Sequence, residues 1–106
     1  MSNFLIPTVT GDVADGDDTK KTVRGPCTIF VAGTFGAAIV YIAVGPPGGT
    51  REVVMTFSAA DDAAHVDFAD GKGRGKLIDM PIGAQYDVSA SINGTGDHSL
   101  SVAIIN

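Results

Sequence analysis

The sequence predicts an all-β protein, an antiparallel β-sandwich of jelly-roll or Ig-like type with about seven to eight short strands and an extended N-terminal arm. Three observations carry this. Apolar and polar positions alternate cleanly in segments such as 85–92 (QYDVSASI) and 99–105 (SLSVAII). Glycine and proline clusters recur between such segments, at Gly25-Pro26, 45–50 (GPPGGT) and 93–98 (NGTGDH). A helical turn fits at one place, 58–64 (SAADDAA), with Ser58 as N-cap and Asp61 at the third helical position.

With 106 residues the chain suits one modest core, divided here into an arm over residues 1–18 and a sandwich over 19–106. Aromatics are 7% and Trp is absent, so Val, Ile, Leu and Ala must fill most of that core. Charged residues are 18%, below the ~25% usual for soluble domains. Some apolar surface is therefore expected to meet a partner rather than water. A net charge of −5 argues against nucleic acid, whose binding needs clustered Lys and Arg. The acid is almost all Asp, with Glu52 the sole glutamate, which suits turns between short strands. Cys27 is the single cysteine, so no intrachain disulfide or thiolate-rich metal site is expected, and it reads as a small buried hydrophobe.

Taken in order, the arm starts apolar at Phe4, Leu5 and Ile6 and becomes acidic at Asp12, Asp15, Asp17 and Asp18. Three apolar residues make no core alone, so they are expected to pack on the body or on a neighbouring subunit. No basic leader precedes Pro7, which leads us to expect synthesis and folding in a cytoplasm. The acidic run lacks the alternating ligands, Gly and distant Glu of a calcium loop. Residues 18–24 (DTKKTVR) read as a polar edge strand blunted by Lys20 and Lys21.

Residues 27–44 (CTIFVAGTFGAAIVYIAV) carry no charge and break once, at Gly-Thr-Phe-Gly. We read them as two buried strands joined in a hairpin, with Gly33 and Gly36 in the turn. The run is at the short limit of the ~17–25 residues that span a bilayer. Two glycines, two threonines, no aromatic belt and Arg24 as the only nearby basic flank argue against a membrane helix.

After the 45–50 turn, residues 51–57 (REVVMTF) place Val53, Met55 and Phe57 on one face. Residues 65–68 (HVDF) alternate again. Residues 70–76 (DGKGRGK) read as a basic, glycine-rich hairpin loop in which Lys72, Arg74 and Lys76 are placed to contact an acidic surface. They are not a phosphate loop, because Asp70 stands where the first Gly belongs and Leu77 follows Lys76. Residues 77–82 (LIDMPI) are a strand that Pro81 confines to an edge or end. The segments 85–92 and 99–105 form a second hairpin, with Tyr86, Val88, Ala90 and Ile92 inward and Asp87, Ser89 and Ser91 outward.

Chemistry-bearing constellations are sparse. His65 and Asp67 share a strand face, but a metal site takes three or more ligands. His98 adjoins Asp97 and Ser99, yet neighbouring strand residues point to opposite faces, unlike a catalytic triad. Asn93-Gly-Thr95 matches a glycosylation acceptor and reads more simply as a turn. No cofactor and no enzymatic activity are expected.

The run from Gly25-Pro-Cys-Thr-Ile-Phe through Tyr-Ile-Ala-Val44, the Pro/Gly turn, and the closing Tyr86-Asp-Val-Ser-Ala-Ser-Ile with its final apolar strand resemble small β-sandwich virion proteins of tailed bacteriophages, the capsid decoration (cement) type in particular. The likeness spans roughly residues 22–106 and rests on pattern and size. It implies a structural protein on the outer capsid surface, bound to the major capsid protein of the same virus, commonly as a homotrimer at symmetry axes. It implies no nucleic-acid or membrane partner. Phe4, Leu5, Ile6, Lys72, Arg74 and Lys76 are the residues we expect to meet the partner. The alternative is a receptor- or carbohydrate-binding module of a tail or fibre, which would need an exposed aromatic platform.

Overall fold

A computed structural model of the chain describes residues 2–58, 65–68, 71–94 and 98–105, and at 2, 3, 17, 65–68 and 71–74 the backbone alone. The strands are β1 (Ser2–Val9), β2 (Lys20–Arg24), β3 (Cys27–Thr34), β4 (Ile39–Gly45), β5 (Glu52–Phe57), β6 (His65–Phe68), β7 (Gly71–Ile78), β8 (Gln85–Asn93) and β9 (Ser99–Ile105). They form a five-stranded sheet in the order β1-β9-β3-β7-β6 and a four-stranded sheet in the order β2-β8-β4-β5, every pair antiparallel. A single 3-10 turn (Asp17–Thr19) is the helical element among the described residues, and no helix there is long and apolar enough to cross a membrane.

The core lies between the sheets and follows the period-two pattern. On β3 the inward residues Cys27, Ile29 and Val31 are buried, and Ile29 and Val31 pair with Ile104 and Val102 of β9. On the facing sheet Val40 and Ile42 of β4 pair with Ile92 and Ala90 of β8. Each fully buried Val, Ile or Phe is worth roughly 1.5–3 kcal/mol of transfer free energy.

The uncharged run over residues 27–44 is central, but it is not a hairpin. β3 pairs with β7 and β9, whereas β4 pairs with β5 and β8 in the other sheet. Between them Phe35 is 5% exposed and its carbonyl accepts the Ala38 N–H at 2.8 Å. The connection buries an aromatic and so arches from one sheet to the other. The second expected hairpin behaves likewise, with β8 and β9 in different sheets.

The extended arm expected over residues 1–18 is instead part of the sandwich. β1 pairs with β9, and Leu5 and Ile6 are both buried. A register shift between Phe4 and Ile6 turns these consecutive residues inward together. The basic run at 70–76 is likewise no loop from Gly71 on, because β7 pairs with both β3 and β6. Its glycines alternate with Lys and Arg at period two, and a Cβ at Gly75 would lie 2.9 Å from the Phe30 ring. Glycine therefore seats that ring against the strand. The strand expected over 77–82 ends at Ile78, and Pro81 enters a turn closed by the Ala84 N–H at 3.0 Å. The edge strand expected near 18–24 is β2. The helical turn expected at 58–64 falls outside the described residues beyond Ser58.

Candidate functional site

Two outer faces carry the surface chemistry. On the five-stranded sheet, pairing sets Ile105, Thr28 and Leu77 in one cross-strand row and Phe4, Ala103, Phe30 and Gly75 in the next. Leu77 is 60% exposed, Phe4 57% and Ile105 42%, with Phe30 and Ala103 half-buried between them. This is an apolar surface across β1, β9, β3 and β7, broken by Thr28 between Ile105 and Leu77.

The expected partner residues divide on this surface. Phe4 lies on it, while Leu5 and Ile6 belong to the core and are closed to any partner. Lys72 and Arg74 lie on β7, opposite Asp67 and His65 of β6. Lys76 turns toward the facing sheet. Its Nζ donates to the Thr56 carbonyl at 2.8 Å and sits 5.0 Å from the centre of the Phe57 ring. A lysine so placed covers the open edge of the core with its stem and keeps its charge near water.

The outer face of the four-stranded sheet is polar along β2 and β8, with Val53 and Val54 exposed on β5, and chain crosses over it. Asp87 was expected on this outward side, and there it is, yet it is buried. Its carboxylate accepts the Thr22 hydroxyl at 2.6 Å and the Gly48 N–H at 2.8 Å, with Lys20 Nζ at 4.0 Å. The Thr22 hydrogen bond, then the Gly48 N–H and the positive charges of Lys20 and Arg51, hold this carboxyl below its ordinary value against the opposing effect of burial. Gly48 can present its N–H because the β4–β5 turn takes a φ of +73° there. Beside Asp87, Ser89 is also fully covered, and its hydroxyl has no hydrogen-bond partner among the described residues.

Arg51 enters from the same turn. Its Nη2 lies 3.8 Å from Asp15 Oδ2, and its buried Nε has no partner among the described residues. Val13 and Ile92 exchange two backbone hydrogen bonds of 2.9 Å, and Asp12 accepts the Gly94 N–H at 3.0 Å, so residues 12–15 form a fixed lip along β8. Between this lip and β4 is a cleft of about 330 Å³ lined by Asp12, Asp15, Tyr41, Ser91 and Asn93 together with Val13, Ala14 and Ile92. The sequence did single out Asp12 and Asp15, as members of an acidic run. Tyr41 and Ser91 joined the cleft only through the β4–β8 pairing, in which they are direct partners.

The remaining titratable groups lie inside. The Tyr86 hydroxyl donates to the Gly25 carbonyl at 2.7 Å and lies 3.2 Å from the Cys27 sulfur. Burial pushes the Cys27 thiol up, and burial with the Cys27 contact pushes the Tyr86 phenol up, so both stay protonated near neutrality. A protonated, buried thiol is a poor nucleophile. His98 is buried with Nδ1 unpartnered among the described residues, and Ser99 is half-buried beside it. No three His, Cys, Asp or Glu side chains group as metal ligands among the described residues. The side chains of His65 and Asp67 lie outside that description.

No protein-family model matches the chain, and no curated protein matches it in sequence.

Proposed function

We propose that this chain is a structural virion protein of jelly-roll type that binds the outside of an assembled phage capsid and stabilises it. The observation that carries this reading is the apolar outer face of the five-stranded sheet, where Phe4, Leu77 and Ile105 are exposed in adjoining rows. The strand order favours the jelly-roll form over the Ig-like one. With β6 counted as an addition at one edge, the sheets read β1-β9-β3-β7 and β2-β8-β4-β5. Consecutive strands then fall in opposite sheets, except for the β4–β5 hairpin, as in the double Greek key of viral capsid domains. In an Ig-like domain the first two strands share a sheet.

The occupant of the face is the major capsid protein, and the protein assembles as a homotrimer at symmetry axes. Each large apolar side chain covered on docking contributes roughly 1.5–3 kcal/mol. Many copies on one shell turn such modest contacts into firm attachment. Co-sedimentation with assembled capsids and with free coat subunits of the encoding virus tests this. Binding to capsids and not to free subunits is expected; binding to neither refutes the reading.

A further inference from the structure

We infer that the cleft between the 12–15 lip and Tyr41 binds one neutral sugar ring. Its volume of about 330 Å³ lies at the small end of the ~300–1,000 Å³ of ligand pockets, room for a single ring rather than a large cofactor. Its polar groups are mixed in kind. Asp12 and Asp15 accept hydrogen bonds, the Asn93 amide both donates and accepts, and the Ser91 and Tyr41 hydroxyls do either. A matching ligand must offer donors and acceptors side by side, as neighbouring hydroxyls on a ring do.

Charge narrows the class further. Arg51 Nη2, 3.8 Å from Asp15, opposes a cationic ligand, while the Asp12 and Asp15 carboxylates oppose an anionic one. Tyr41 adds aromatic surface against which the apolar face of a sugar ring can lie. The cleft belongs to the four-stranded sheet, away from the apolar face of the other, so sugar binding does not depend on capsid docking.

The test is an amide chemical-shift titration of the full chain with free glucose, galactose, mannose and N-acetylglucosamine, and with arginine as a charged control. At least one sugar is expected to give saturable shifts centred on residues 12–15, Tyr41 and 91–94. Asp15→Asn and Asn93→Ala, both at exposed positions, should each weaken that binding about tenfold with the melting temperature little changed. Absence of saturable shifts at the cleft with all four sugars overturns the inference. So do shifts that both variants leave unaltered, or tighter binding of arginine than of any sugar.

Discussion

Asp87 on β8 accepts a 2.6 Å hydrogen bond from Thr22 on β2, and so ties the edge strand of the four-stranded sheet to its interior. The same carboxylate takes the Gly48 N–H, which pins the β4–β5 turn over the sheet. Hydrogen bonds to a charged group are worth about 1.5–3 kcal/mol each, so Asp87→Ala is expected to cost about 3 kcal/mol in a denaturant titration. Asp87→Asn should cost less, because the amide oxygen still accepts one of the two donors.

The pH dependence follows in sign. The Asp87 carboxyl is held below its ordinary 3.8, so the folded state binds its proton less readily than the unfolded chain does. Its contribution is complete above that ordinary value and is lost as pH falls through the lowered one. Thermal melts between neutral pH and strong acid should show this loss, and Asp87→Asn should flatten the acid limb of the curve.

Lys76 closes the gap between β7 and β5 through the Thr56 carbonyl and the Phe57 ring. Lys76→Ala removes the stem, the hydrogen bond and the cation–π contact, with an expected loss of about 1 kcal/mol. Lys76→Met keeps most of the apolar cover and should lose about half of that. Paired urea titrations of the two variants separate the stem from the charge.

Residues 1–10 cannot be removed as a detachable arm, since β1 supplies Leu5 and Ile6 to the core. Their deletion should lower the melting temperature sharply and expose the β9 edge. Phe4→Ser, by contrast, changes an exposed side chain and should leave stability within about 0.5 kcal/mol of wild type.

The strands themselves were legible because their inward residues repeat at period two, as Leu100, Val102 and Ile104 do. Their connections were not. A Gly-rich break looks the same in sequence whether the chain returns within a sheet or arches across to the other. At the first break, Phe35 held in the core accompanies the arch. The 71–76 part of β7 escaped notice because Lys and Gly are poor strand formers in isolation, and only Phe30 lying over Gly75 gives the glycine a purpose.

Local alternation also misleads where chain layers stack. Asp87 and Ser89 do face outward, but the β4–β5 turn and Arg51 come from far along the chain and bury them. Val53 was expected on one face with Met55 and Phe57, yet it is 56% exposed while Phe57 is buried. The register shift that leaves Val54 without a direct partner on β4 turns it out. Phe4 was read together with Leu5 and Ile6, and the sequence did not separate its exposed side chain from their buried ones. The face that Phe4 joins was not legible, because Leu77 and Ile105 become its neighbours through pairings with no local signature.

The most direct measurement is capsid co-sedimentation of a Phe4→Asp, Leu77→Asp double variant beside the wild-type protein. Both positions are exposed, so the variant should fold and keep its melting temperature within a few degrees, roughly as ~1 kcal/mol would move a domain of this size. It should nonetheless lose capsid binding by at least about tenfold, since two desolvated carboxylates would face the shell. A folded double variant that binds capsids as tightly as wild type would contradict the assignment of this face.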